Sequence, residues 1–384
     1  MSYPIGESAT VDELTADPHP LLARLRAAEP VSWLPALDGW LVTRHDLARA
    51  VMRDARTYTV DDPRFSTSRL IGPSMLSLDG PAHTRHREPF ARTFRPAETR
   101  ARFTAFVEAE VERLVTALRP SGRAELRAEL AGPLAVAVVA EALGLGDTDP
   151  TTIRSWYEAL VTAVSAITAG GEAVTPEAYA LLRARVEEAI KNGPPSALLV
   201  EVAGRPEGLT SAEVVADTAV LMFGGIDTTE GMITNAAAHL LGHPDQLAGV
   251  RADPALLTAA VEESVRLEPS ASVIDRYAVR DVTLGDSPVR AGDLVRISIA
   301  GANRDPGVFP DPDRYDIRRA GADQHLSFAR GPHFCFGAHL ARLETTTALR
   351  ALLELPGLRL DHTDGARGLV FRKPEEVRVR WDEG

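Results

Sequence analysis

Phe328-Ala329-Arg330-Gly331-Pro332-His333-Phe334-Cys335-Phe336-Gly337 holds the only cysteine of the 384-residue chain. One thiol forms no internal disulfide. It supplies neither the several thiolates of a structural zinc site nor those of an iron–sulfur cluster. Three fates remain: an inert thiol that packs like a small hydrophobe, a nucleophile, or a single soft ligand to a metal held mostly by something else. The neighbours weigh against the first. Gly331 and Gly337 permit tight turns and close backbone approach on either side of the thiol. A helix is expected directly after Cys335, running from Gly337 to Leu355 and stopped by Pro356. The unsatisfied N–H groups and the dipole at its start would favour the thiolate.

Outward from this loop, the chain reads as one continuous unit over residues 1–384, mainly α with a minor β part. Residues 31–42 suggest two short strands around the turn pair Asp38-Gly39. Helical spacing dominates residues 101–200, broken at Gly170-Gly171 and at Gly193-Pro194-Pro195. Thr210-Ser211-Ala212-Glu213 is a capping-box signature opening a long helix to Leu241, ahead of Gly242-His243-Pro244. Asp253-Pro254 places a cap before a proline at the first position of a further helix. Residues 277–299 turn to short β-rich runs with turns at Gly285-Asp286 and Ala291-Gly292-Asp293. Hydrophobic residues at 45% and charged residues at 25% describe a globular protein large enough to enclose a sizeable cofactor. The first twenty residues carry no apolar run and no basic start, so no signal peptide or membrane anchor is expected. No apolar run reaches membrane-spanning length. One cysteine and no leader predict a cytoplasmic protein. A net charge of -12 argues against a nucleic-acid binder.

A thiolate flanked by glycine, phenylalanine and histidine suits a flat aromatic macrocycle lying against the loop. The spacing Phe328-x-x-Gly331-x-His333-x-Cys335-x-Gly337 resembles the haem-ligand loop of the cytochromes P450, and the run Ala338 to Glu344 extends the match. Ala329 stands where that family usually has glycine, and a small adjustment of the turn is expected there. The resemblance spans most of the chain from Trp40 onward and is weakest over residues 144–205. It implies a triangular helical prism with small β-sheets and haem b between the long central helix and the ligand-loop helix. Cys335 would be the axial ligand, a thiolate that pushes electron density onto the iron.

Four other stretches support the resemblance. Glu263-Ser264-Val265-Arg266 puts opposite charges on one helix face, by itself an ordinary pair. The family locks such a pair against an arginine in a downstream meander, and Arg314 is the candidate in Phe309-Pro310-Asp311-Pro312-Asp313-Arg314-Tyr315-Asp316. Gly224-Gly225-Ile226-Asp227-Thr228-Thr229 is a poor helix interior, each glycine costing about 1 kcal/mol relative to alanine. Its bland reading is a packing kink. The resemblance makes Gly224 and Gly225 part of an oxygen groove, with Asp227 and Thr228 as the catalytic acid–alcohol pair that relays protons. His83-Thr84-Arg85-His86-Arg87 alone reads as a solvated basic turn. By resemblance His83 and Arg87 bind the haem propionates, together with Arg276 and His333. Substrate contacts are expected, by analogy with the family, from Met75, Leu76, Val220, Phe223, Ala271, Val273, Ile274 and Val370.

The resemblance therefore implies a monooxygenase that inserts one oxygen atom of dioxygen into an apolar small molecule, by hydroxylation or epoxidation. The composition resembles relatives that tailor secondary metabolites. Electrons would come from ferredoxin and a ferredoxin reductase, because no flavin or iron–sulfur domain fits in the chain. A monomer is expected, without nucleic-acid or membrane partners. Two alternatives stay open: a thiolate-haem enzyme of other chemistry (peroxygenase, coupling enzyme or isomerase) and a non-catalytic haem sensor.

Overall fold

The computed structural model describes residues 2–168, 171–194, 197–205 and 208–382. The chain divides into two compact units. The first comprises residues 1–59, 111–131 and 228–384, and the second residues 60–110 and 132–227. The helices that carry the site are α1 (His45–Arg53), α2 (Gly80–Ala91), α3 (Ser211–Gly242), α4 (Leu256–Leu267) and α5 (Ala338–Leu353). Among the described residues, no helix is long and apolar enough to cross a membrane.

The first unit contains a five-stranded sheet of β1 (Val31–Leu34), β2 (Gly39–Val42), β3 (Tyr58–Thr59), β4 (Val273–Ala278) and β5 (Leu294–Ser298), in the order β1-β2-β5-β4-β3. β2 and β5 run parallel with Trp40 opposite Val295, and the other pairs are antiparallel. Val31, Trp40, Val42, Val295 and Ile297 pack with Val51 and Met52 of α1 and with Leu326. Each such side chain contributes about 1.5–3 kcal/mol when fully buried. The sheet thereby holds α1 next to the segment that leads into the cysteine loop. The expected β1–β2 hairpin is present. Its connection is wider than a two-residue turn, because Pro35–Leu37 form a 3-10 turn and Asp38 takes a left-handed φ of 46°. Gly39 is already paired with Leu34 in the strand.

α3 opens on the expected capping box. The Glu213 N–H donates to Thr210 Oγ1 at 3.3 Å, and the Thr210 N–H donates to Glu213 Oε2 at 2.8 Å. The helix ends at Gly242, one residue beyond the expected Leu241, and runs unbroken through Gly224-Gly225. α4 starts two residues later than Asp253-Pro254 would have it. Asp253 instead closes a turn, its side chain accepting from the Ala255 N–H at 3.1 Å. The Gly193-Pro194 break ends the helix Glu177–Asn192. The helix before it, Pro150–Thr168, stops ahead of Gly171; Gly170 and Pro195 lie outside the described residues.

Candidate haem-thiolate site

Cys335 is exposed, a rare condition for a residue type that is usually among the most buried. Its backbone N–H donates to the Phe328 carbonyl at 2.9 Å, closing the loop on itself. The following helix does not begin directly after the thiol. α5 starts at Ala338 with Gly337 as its N-cap residue and ends at Leu353, not Leu355. The thiol therefore sits three residues before the first helical position.

The glycines of the loop have different reasons. Gly331 has φ +74°, and a Cβ there would come within 2.6 Å of the Met52 carbonyl oxygen. Only glycine fits, so α1 and the loop touch backbone to backbone. Gly337 has an ordinary φ of -76°, and a Cβ there would meet nothing within 4 Å. Ala329 takes the left-handed conformation itself, with φ 56°. The turn has not adjusted to the alanine; the alanine accepts about 1–2 kcal/mol of local strain.

A buried polar network braces the loop within the first unit. Arg266 is fully buried and donates to both carboxylate oxygens of Glu263, at 2.7 and 2.9 Å. It also donates to the Asn303 carbonyl at 2.9 Å and the Pro312 carbonyl at 2.8 Å. The Asn303 side chain accepts from the Leu326 N–H at 2.7 Å and donates to Ser327 Oγ at 2.8 Å. Leu326 and Ser327 lead directly into Phe328. A second brace comes from Glu262, the neighbour of Glu263 on α4. Arg342 of α5 donates to Glu262 Oε2 at 2.9 Å and lies over the Phe328 ring, 4.2 Å from its centre.

Arg314 is not the third member of the Glu263–Arg266 group. Its side chain is exposed, and it contributes only its carbonyl, which accepts from Arg266 at 3.3 Å. The third guanidinium is that of Arg319, whose Nε donates to Glu263 Oε1 at 2.8 Å. Arg319 also donates to the carbonyls of Asp311 and Arg314, at 3.0 and 2.8 Å. The burial pattern of the meander marks it. Tyr315 and Ile317 are buried and the Arg319 side chain is 7% exposed, whereas Arg314 and Arg318 face out. That two-residue alternation runs from the aromatic residue to the arginine.

The electrostatics make this network pH-sensitive. Burial pushes Glu262 up, but Arg342 and His325 outweigh it and hold the carboxyl at about 2. Burial also drives His325 below its usual range, so near neutrality Arg342 is the charge that does most of this. Glu268 is held at about 2 in the same way, against burial, by His19, Arg372 and Arg304. An acid with a depressed folded-state pKa binds fewer protons than it does in the unfolded chain. Its stabilisation is complete above the ordinary glutamate value of 4.5 and is lost as pH falls toward 2. Each group is worth about 3 kcal/mol across that window. The stability difference between the wild type and Glu262→Gln, read by urea unfolding, is expected to shrink steadily from pH 5 to pH 3. A difference independent of pH over that range would contradict the assignment.

The remaining expected residues divide between the units. In the first, Arg276 is buried in β4 and donates to the Asp275 carbonyl at 2.7 Å. His333 is half-buried in the cysteine loop, and Thr228 is half-buried on α3. Ala271 and Val370 are brought together, since Ala271 bridges Phe371 and the Ser272 N–H donates to the Val370 carbonyl at 2.8 Å. Val273 is buried and Ile274 half-buried in β4. In the second unit, His83 and Arg87 lie one turn apart on α2, with His83 buried. Met75 and Val220 are buried there, Leu76 is half-buried, and the Phe223 ring lies 6.5 Å from that of Tyr157. Asp227 is half-buried on α3. Gly224 is exposed, and a Cβ there would meet nothing within 4 Å. At Gly225 a Cβ would come within 2.6 Å of Val139 Cγ2. Gly225 therefore packs closely against the helix Gly132–Leu143.

An exposed lone thiol, at a loop closed by hydrogen bonds and rigidly braced from behind, suits one soft ligand to a broad, flat group. A family model described as Cytochrome P450 matches residues 178–365. The monooxygenase PikC of Streptomyces venezuelae is 38% identical, covering 97% of this chain and 93% of that protein. The chain belongs to the cytochrome P450 family. Mycinamicin IV hydroxylase/epoxidase of Micromonospora griseorubida is 33% identical over 93% of this cytochrome P450 and 94% of that enzyme. A solved structure of P450BioI, in complex with an acyl carrier protein ligated to hexadec-9Z-enoic acid, has a TM-score of 0.88. It is 29% identical and covers 97% of this chain and 100% of its own. This cytochrome P450 is thus a haem b monooxygenase with a cysteine thiolate ligand, and it works with redox partners and a small-molecule substrate. Haem supplies the oxidising chemistry, and the protein supplies binding, orientation and protons.

Proposed function

We propose that this cytochrome P450 hydroxylates or epoxidises an apolar secondary metabolite in the cytoplasm, using electrons from ferredoxin, with Cys335 as the iron ligand. The exposed thiol of Cys335, on a loop braced from two sides, is the observation that carries the reading. His83, Arg87, Arg276 and His333 hold the propionates. Phe328, Gly331 and Gly337 shape the face of the loop, and Gly224 leaves room on the long helix. Met75, Leu76, Val220, Phe223, Ala271, Val273, Ile274 and Val370 form the apolar wall that a small-molecule pocket needs. The relatives named as hydroxylase/epoxidase of mycinamicin IV and N-oxygenase of nocardicin C support a natural-product substrate.

Ferredoxin as donor is supported by charge. Arg330 is lowered from the usual arginine range by burial first, and then by Arg342, Arg53 and Arg49. These four guanidinium groups lie within electrostatic reach of one another at the cysteine loop, within the first unit, despite the acidic chain. An acidic electron-transfer protein is the partner that such a patch attracts. Arg342 is partly neutralised by Glu262, so Arg330, Arg53 and Arg49 carry most of the attraction.

Asp227 and Thr228 hold and pass protons. Turnover reconstituted with reduced ferredoxin is expected to slow as salt rises. In Thr228→Ala, product formed is expected to fall about 100-fold, with the reducing equivalents appearing as hydrogen peroxide. Unchanged coupling in Thr228→Ala would favour a peroxygenase, and failure of ferredoxin at every ionic strength would remove it as the donor.

A further inference from the structure

Asp217 is a carboxylate with no exposed surface, set two turns before Gly224 on α3. Burying such a charge costs several kcal/mol unless its lone pairs are used. Both oxygens are engaged. Oδ1 accepts from the backbone N–H of Met75 at 2.7 Å, and Oδ2 lies 2.9 Å from Nδ1 of His86, which is 1% exposed. His86 belongs to α2. Its other nitrogen faces Glu213 Oε1 at 3.4 Å and an Arg85 nitrogen at 3.3 Å. Arg85 in turn pairs with Glu213, the capping-box residue of α3, with one contact at 3.2 Å. One carboxylate therefore joins α3, α2 and the loop of residues 72–79, all within the second unit.

The centre of that loop is also stapled to itself, while at its end Asp79 accepts from the Val60 N–H at 2.8 Å. The Ser74 N–H donates to Ser77 Oγ at 3.1 Å, and the Ser77 N–H donates to the Ser74 carbonyl at 3.0 Å. The turn so formed holds Met75 at its centre, and the Met75 amide is where it meets α3. Asp217 also shares a helix face with Val220 and Gly224, which lie three and seven residues on. The anchor thus sits on the stripe that carries Val220 of the proposed pocket. Burial raises the Asp217 carboxyl, outweighing the pull of His86 and the Met75 amide.

We infer that Asp217 and His86 are positioning residues for substrate: they clamp the Met75–Leu76 loop to the long helix and so set which ligands the pocket accepts. The inference rests on the reading of Met75 and Leu76 as pocket residues. It requires no contact between either polar residue and the substrate. Loss of the clamp frees the loop and selectively penalises ligands large enough to touch it.

The test uses the haem-loaded enzyme and two probes that bind through a ring nitrogen, imidazole and the bulkier phenylimidazole. In Asp217→Ala, hydrogen exchange at the Met75 amide is expected to accelerate about 10-fold or more. Phenylimidazole affinity is expected to fall about 10-fold while imidazole affinity holds, since one charged hydrogen bond is lost. Asp217→Asn keeps an acceptor for the Met75 N–H and is expected to restore most of both readings. If Asp217→Ala does not retain haem, His86→Leu is read in the same two ways. An unchanged Met75 exchange rate overturns the clamp whatever lines the pocket. A freed loop with unchanged phenylimidazole affinity overturns the assignment of Met75 and Leu76 to the pocket, and the selectivity role with it. Equal loss of both probes would mean a structural role alone and also overturns the inference.

Discussion

Replacing Cys335 with serine is expected to abolish monooxygenase turnover while leaving the fold and its loop in place. The side chain is exposed, and the hydrogen bond that closes the loop uses the backbone N–H of residue 335, which any residue but proline retains. The brace from Asn303, Arg342 and Phe328 does not involve the thiol. The hydrogen bonds that shape the loop therefore survive the substitution. Chemistry is another matter. A thiolate is the strongly donating ligand that favours cleavage of the O–O bond, and a neutral serine hydroxyl is not. Product formation below detection, in a protein that still folds, is the expected result. A variant that still turns over substrate would mean that the reaction does not depend on this thiol.

The second large effect concerns the support behind the loop. Arg266→Ala would leave Glu263 buried with much of its compensation gone, and breaking a buried pair in this way costs about 3–5 kcal/mol. The same logic separates Arg319 from Arg314. Arg319→Ala removes a direct bond to the Glu263 carboxylate and three bonds to carbonyls of the meander. Arg314→Ala removes nothing from this cluster, because the carbonyl of residue 314 remains. Urea unfolding is expected to place Arg319→Ala at least about 2 kcal/mol below the wild type and Arg314→Ala within about 0.5 kcal/mol of it. The reverse order would restore Arg314 as the third member.

What the sequence made legible follows from the range of the interactions involved. The capping box of Thr210 and Glu213 spans three residues and needs no tertiary context, so it was readable and is present. The cysteine loop is equally local, its chemistry concentrated in ten consecutive residues. Reading failed where a choice depended on what packs alongside. Arg314 and Arg319 lie five residues apart in one arginine-rich meander, and only the burial alternation tells them apart. Gly224 and Gly225 are neighbours with opposite surroundings, one open and one against Val139. Ala329 keeps a glycine conformation because α1 and the bonds at Leu326 and Phe328 hold the turn around it. His86 and Asp217 are separated by 131 positions and could not be paired from one sequence.

The account turns on Cys335 as the thiolate that holds the haem iron. The absorption spectrum of the reduced, carbon-monoxide-bound protein tests it most directly, recorded for the wild type and for Cys335→Ser side by side. The account predicts the red-shifted Soret band of a thiolate-ligated haem in the wild type and its loss in the variant. A wild-type band at the position typical of histidine-ligated haem, or a red-shifted band that survives in Cys335→Ser, would contradict it.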